Sequence, residues 1–185
     1  MAAIPPICNF GWKPEAASLP GIDDATHSIL EHAGPNGLVV AFICNHCPYV
    51  VAVIDRIVRD ARDLEAIGIG FVAVSSNDAA AYPADSFENM KRFAARHDFP
   101  FPYLYDESQR VALEWDAVCT PDFFGFNREL ELQYRGRLDA SRKEAAPQGV
   151  RRDLYESMKQ ITQTGHGPVE QFASMGCSIK WKEVV

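Results

Sequence analysis

The chain has 185 residues, of which 47% are hydrophobic and 23% charged, and 25 acidic against 18 basic side chains give a formal net charge of −7. That length predicts one domain over residues 1–185 with a sizeable core, and the apolar content excludes a disordered chain. An acidic balance without a Lys or Arg cluster argues against nucleic acid or anionic membrane as a partner, and the longest apolar run, residues 38–44, is far short of the roughly 20 needed to span a bilayer.

The start, Met1-Ala2-Ala3-Ile4-Pro5-Pro6, carries no charged segment and no long apolar stretch, so a cytoplasmic protein is expected. After the turn signal Gly34-Pro35-Asn36-Gly37, residues 38–43 (Leu-Val-Val-Ala-Phe-Ile) read as a strand buried on both faces. From Pro48, the residues Val50, Ile54, Ile57, Ala61 and Leu64 recur at helical spacing, with Asp55, Arg56, Arg59, Asp60, Arg62 and Asp63 opposite. This predicts an amphipathic helix starting near Cys47 and ending near Gly68. A second buried strand, residues 69–74, completes a right-handed parallel unit, so the fold class is α/β.

Downstream, Asp85 with Glu88 predicts a capping box for a helix bearing Phe87, Met90, Phe93 and Ala94, after a polar loop around Asn77 and Asp78. A short strand at 103–105 and a short helix at 108–115 follow, then a hairpin of residues 122–126 and 129–134 joined near Asn127-Arg128. A helix over 150–164 carries Leu154, Met158 and Ile161, and the tail 165–185 has no clear period.

Five cysteines are an odd number in a chain of a size that needs no staples, which points to working thiols in a reducing compartment rather than a disulfide framework. Cys44-Asn45-His46-Cys47 falls at the junction of a buried strand and a long helix, where N–H groups favour thiolate and a thiol pKa falls from about 8.5 towards about 3.5 to 7.5. Two intervening residues let the sulfurs join in a disulfide, and a protonated His46 would favour the reduced form further. The competing readings are half of a zinc site or idle buried thiols; structural zinc normally uses two such knuckles, and the chain has one.

Cys119-Thr120-Pro121 directly before the hairpin, in this order of elements, resembles the thioredoxin superfamily over residues 10–164. The resemblance implies a thioredoxin-like fold, a central mixed sheet flanked by helices with an N-terminal extension and a C-terminal tail. It also implies a cis Pro121 whose neighbouring backbone is free to hydrogen-bond an extended substrate. The chain looks nearest to the peroxiredoxin-like branch of the alkyl hydroperoxide reductase type, through its N-terminal segment, its insert after the second strand and Cys47-Pro48. In that branch the peroxide-reactive cysteine stands at the position of Cys47, with a threonine three residues before it and a proline four before that; this chain has Cys44 and Val40 there. Residues 174–182, Ser-Met-Gly-Cys-Ser-Ile-Lys-Trp-Lys, are similar to the tails of the same proteins.

The expected activity is thiol-disulfide exchange, with Cys44, the more exposed thiol by its place before the helix, attacking and Cys47 resolving. The rivals are a thiol peroxidase, in which Cys47 becomes a sulfenic acid that Cys44, Cys119 or Cys177 condenses with, and a protein that holds a metal or client without turnover. Expected partners are a protein or small-molecule disulfide, or a peroxide, and a dithiol or glutathione as reductant; no cofactor is expected. Met175, Ile179 and Trp181 give the tail apolar groups with which to pack, so Cys177 is either a resolving thiol or incidental. Cys8 reads as a bystander, and Cys119 as either packing or a third redox thiol. Arg137, Asp139 and Arg142 are expected in a solvated loop that could lend a cation to the site. Trp12, Trp115 and Trp181 are expected to pack, and His27, His32, His97 and His166 to be surface or satisfied histidines.

Overall fold

The computed structural model describes residues 2–144 and 146–183. In chain order the elements are β1 (Ala2–Ala3), β2 (Ser18–Pro20), β3 (Thr26–Ser28), β4 (Gly37–Phe42), α1 (Pro48–Val51), α2 (Ile54–Glu65), β5 (Ile69–Ser75), α3 (Phe87–Arg96) and β6 (Tyr103–Tyr105). There follow α4 (Arg110–Glu114), β7 (Cys119–Thr120), β8 (Asp122–Phe126), β9 (Leu132–Gly136), α5 (Asp153–Thr164) and β10 (Gly176–Ser178). Among the described residues no helix is long and apolar enough to cross a membrane.

β4 is the axis of the molecule. It lies at the centre of a five-stranded sheet of order β6-β5-β4-β8-β9, parallel to β5 and antiparallel to β8, and every one of its residues is buried. Because successive side chains of a strand point to opposite faces, Val39, Ala41 and the following Ile43 enter one core and Leu38, Val40 and Phe42 another. The first core receives Ile54, Ile57, Ala61 and Leu64 of α2 and Leu154, Met158 and Ile161 of α5, the residues whose spacing predicted those helices. The second is built around Trp115, whose ring meets Trp12, Phe42, Phe124 and Phe126 edge-on at 5.5 to 5.8 Å. Trp12 and Trp115 thus pack as expected, whereas Trp181 is 39% exposed.

Four boundaries differ from the sequence reading. The predicted helix from Pro48 is two, broken where Val53 leaves helical geometry (φ −118°, ψ −2°), although its apolar stripe runs through both. Gly68 closes the segment in the left-handed region (φ +77°) as expected. The second hairpin strand begins at Leu132 because the Asn127 side chain accepts N–H bonds from Glu129 and Glu131 and holds those residues in the turn. The cap of α3 is Ser86, whose hydroxyl accepts from Asn89 N, so Asp85 is not a capping residue and its carboxylate is free to turn inward. The last helix begins at Asp153 and not at 150.

The described part of the tail, residues 165–183, packs on the domain through a strand of its own. β10 pairs antiparallel with β7, setting Cys177 opposite Thr120 and Ser178 opposite Cys119, and β1 adds to its other edge. Gly176 makes this approach possible, since a Cβ there would stand 1.9 Å from the Thr120 carbonyl oxygen. Further bonds pin the strand on: Ile179 N to Val118 O, Lys180 N to Asn77 Oδ1 and Lys182 N to Gln109 Oε1. The Thr120–Pro121 bond is cis, as the resemblance implied, but the backbone beside it is not free for a substrate strand: the chain's own tail occupies it.

Next to Pro121, Asp122 is fully buried and meets Arg135 at 3.1 Å, and the same Arg135 nitrogen donates to Asp116 O. Burial raises the Asp122 pKa to about 6, with Arg135 opposing the rise. A folded-state pKa above the ordinary carboxylate value means that ionising Asp122 costs stability as pH rises through about 6. Arg135→Ala removes the compensating charge and should destabilise the fold by about 3 to 5 kcal/mol at pH 7.5. The loss should shrink at pH 5, where Asp122 is neutral; urea unfolding at the two pH values measures the difference.

Candidate redox site

The site lies beyond the carboxyl ends of β4 and β5, where Cys44-Asn45-His46-Cys47 links the central strand to α1. Thr120 faces both cysteines. Its hydroxyl is 3.4 Å from Cys44 Sγ, and its carbonyl oxygen accepts from the Cys47 thiol at 3.2 Å. Cys47 is the N-cap of α1, with Pro48 in the first helical position, where a missing N–H is harmless. Both sulfurs are inside the protein: Cys44 is 1% exposed and Cys47 0%. The expectation that Cys44 is the exposed thiol is therefore corrected: the motif turns His46 to solvent and both sulfurs inward.

The two thiols are driven in opposite directions. Cys47 is lowered to about 5, first because Cys44 donates to it and then because the thiol and the backbone N–H of Cys177 and the backbone N–H of Val50 donate as well, against the cost of burial. Cys44 is raised well above the ordinary thiol value, since losing its proton would forfeit the bond to Cys47 and leave a charge in a dry site facing Asp85. The two thiols are thus biased apart, Cys44 towards the protonated form and Cys47 towards the thiolate, in which its bond to the Thr120 carbonyl is given up.

His46 does not supply that stabilisation. Its Nδ1 is 2.7 Å from Asp85 Oδ2, and its ring stacks on Tyr82 with centroids 6.0 Å apart. Asp85, fully buried, also accepts from Asn45 N at 2.8 Å and from Asn77 Nδ2 at 2.7 Å. Asn45 in turn accepts from the Tyr103 hydroxyl at 3.1 Å. Cys44, His46 and Asp85 present ligand-type atoms within 4.8 Å of one another, the set a metal would use, but the carboxylate is already occupied by the imidazole and two N–H donors. A second such set, His27, Glu31 and His32, lies at the other end of the central strands, so these histidines are nearer to ligand spacing than the sequence suggested.

The AhpC/TSA family model matches residues 13–135, a stretch that includes both cysteines of the motif and the cis proline. The chain belongs to the AhpC/TSA family. Among solved structures, an uncharacterized conserved protein from Geobacillus kaustophilus is 40% identical with a TM-score of 0.94, the match covering 100% of this chain and 98% of that one. A hypothetical protein from Sinorhizobium meliloti is 32% identical with a TM-score of 0.89, covering 97% and 98%. A putative thioredoxin from Neisseria meningitidis, 19% identical with a TM-score of 0.62 over 81% of this chain and 89% of its own, shares the thioredoxin-like fold. No protein of curated function matches the sequence significantly.

As an AhpC/TSA protein the chain is a thioredoxin-like member of a redox family, and the structure brings Cys44, Cys47, Pro121 and Cys177 to one place. Cys119 is buried beside Pro121 O, and burial together with Asp122 raises its pKa. Cys8 packs against the second core, raised to about 11 by burial. Arg137 is tied to Asp153 and Asp139 to Arg56, so neither charge is available to the thiols, while Arg142 is exposed. Asp85 and the Thr120 side chain are the contributors that sequence reasoning missed as site residues. Asp85 was hidden by its resemblance to a helix cap, and Thr120 by its neighbour Pro121.

Thiolate absorbance near 240 nm should reveal the asymmetry. One thiolate should persist down to about pH 5 and vanish in Cys47→Ser, and in Cys44→Ala its midpoint should move upward because the principal donor is gone. An unchanged midpoint in Cys44→Ala would contradict this assignment.

Proposed function

We propose that the protein is a thiol-disulfide oxidoreductase whose working pair is Cys44 and Cys47, with Cys47 as the thiolate and Cys44 as its partner. This reverses the roles expected from the motif's place before a helix. The observation that carries the reading is the convergence of the two buried thiols on Thr120, Cys44 at its hydroxyl and Cys47 at its carbonyl, and the opposite directions in which their pKa values are driven favour one nucleophile and one acid side by side.

In the exchange, the Cys47 thiolate attacks a sulfur of the substrate disulfide, forming one S–S bond and expelling the other sulfur as a thiolate, which takes up a proton. Cys44 then gives up its proton and attacks Cys47 Sγ, closing Cys44–Cys47 and releasing the second substrate sulfur. Two electrons pass from the pair to the substrate. Pro121 follows the Thr120 that both sulfurs face, and Asp85, paired with His46, fixes the backbone of the motif through Asn45 N–H.

A second reading draws on the family match. Cys47 thiolate could attack the terminal oxygen of a peroxide, giving the sulfenic acid and an alcohol or water, after which Cys44 condenses with loss of water to the same disulfide. Against efficient turnover stands Cys44 at the position where the peroxidase pattern has threonine, since a thiol is a weaker hydrogen-bond donor to oxygen than a hydroxyl.

The two readings separate when reduced protein is mixed with a small alkyl disulfide or with hydrogen peroxide at equal concentration. The dithiol reading predicts loss of two thiols per chain with either oxidant, faster with the disulfide, and no reaction of this pair in Cys47→Ser. Faster consumption of peroxide would replace the dithiol reading with the second one.

A further inference from the structure

A buried dithiol has to meet its substrate somewhere. Cys44 and Cys47 are inside the protein, and the backbone edge beside Pro121, where an extended substrate would pair, is filled by β10. The tail residue set opposite Thr120 is Cys177, which packs against the core cluster containing both motif cysteines yet keeps part of its surface in solvent. Thr120 therefore has a sulfur on each side: those of Cys44 and Cys47 at its hydroxyl and carbonyl, and Cys177 across the strand pair.

Building on the dithiol reading, we propose that Cys177 is a third redox thiol, the port through which the buried Cys44–Cys47 pair exchanges with thiols and disulfides in solution. Cys47 is the sulfur common to both disulfides. Starting from oxidised protein, the Cys177 thiolate attacks Cys47 Sγ; the Cys47–Cys177 bond forms, the Cys44–Cys47 bond breaks, and Cys44 leaves and takes up the proton that Cys177 gave up. No electron enters or leaves the protein in this step. An external thiolate next attacks Cys177 Sγ and expels Cys47 as a thiolate, and a second external thiolate attacks the outer sulfur of that mixed disulfide and releases Cys177. The sum is one protein disulfide and two external thiols giving a protein dithiol and one external disulfide, and the reverse sequence oxidises the pair.

The local chemistry suits the exchange with solution. Cys47 is the sulfur whose anion is best stabilised, so it is the better leaving group when Cys177 is attacked from outside. Cys177 itself is raised to about 11, first by burial and then by its bond to Cys47 and the charge there, with Lys180 opposing. In oxidised protein Cys47 carries no charge, so that part of the rise disappears when Cys177 has to act as the nucleophile. The bonds of Ile179, Lys180 and Lys182 to the body of the protein keep the sulfur in place without a mobile arm.

The test uses the full chain as wild type, Cys44→Ser and Cys177→Ser, each reduced, exposed to a small alkyl disulfide, quenched in acid, alkylated and mapped by mass spectrometry. Wild type should contain Cys44–Cys47; its absence defeats the dithiol reading and this inference with it. With that linkage present, Cys44→Ser should accumulate Cys47–Cys177, and Cys177→Ser should still form Cys44–Cys47 but about tenfold or more slowly, because the accessible sulfur is gone. If Cys177 only anchors the tail, removing it loosens β10, uncovers Cys47 and speeds the reaction. Unchanged or faster oxidation of Cys177→Ser overturns the port, as does a Cys44→Ser protein whose Cys177 stays fully alkylatable. Should Cys177→Ser fail to fold, the Cys44→Ser map decides alone.

Discussion

Thr120 is the point to which the chemistry of this protein is referred. Its hydroxyl faces Cys44, its carbonyl faces Cys47, and its strand carries Cys177 opposite. Two residues on, Asp122 is locked to Arg135 in the interior at the start of β8. β8, which begins there, is antiparallel to β4, so the loop bearing Thr120 and the loop bearing the motif leave the sheet at the same end. The approach of Cys44 and Cys47 to Thr120 thus follows from the pairing of two central strands, and that of Cys177 from the pairing of β10 with β7.

The site has two sides with different duties. On one, Cys47 gathers donors from Cys44, Cys177 and Val50, and a negative charge becomes tolerable in a place with no solvent. On the other, Asp85 holds Asn45 and His46, and Tyr82 continues the stack towards the tail, where the Lys180 ammonium lies 5.6 Å from its ring. Cys44 is kept protonated first by its bond to Cys47 and by burial, and the Asp85 carboxylate adds repulsion in the same direction.

The sequence made the central strands legible because a run such as Leu-Val-Val-Ala-Phe-Ile is apolar at every position, which only a strand covered on both faces requires. α2 and α5 were equally plain, since one apolar stripe repeats along each. The chemistry was legible in residue type and location: Cys44, Cys47 and Pro121 were singled out, and the three do converge. What escaped was everything decided by side-chain direction. Asp85 has the spacing of a cap, and only the hydroxyl of Ser86 taking that task sends the carboxylate inward. The motif alone assigned the exposed thiol to Cys44, but exposure depends on the tail, which has no periodicity and gains its structure from β7.

The central claim is that hydrogen bonds collected at Cys47 stabilise the reduced, thiolate form of the pair. Stabilising the thiolate makes the disulfide the more oxidising state, so the reduction potential of Cys44/Cys47 should lie above thioredoxin's roughly −270 mV. Equilibration in glutathione buffers, with the oxidised fraction read from the mass of acid-quenched, alkylated protein, gives the value directly. A two-electron transition less negative than that of thioredoxin, little changed in His46→Ala, is the predicted result. A potential at or below thioredoxin's, or a large fall on replacing His46, would contradict the account of where the thiolate finds its support.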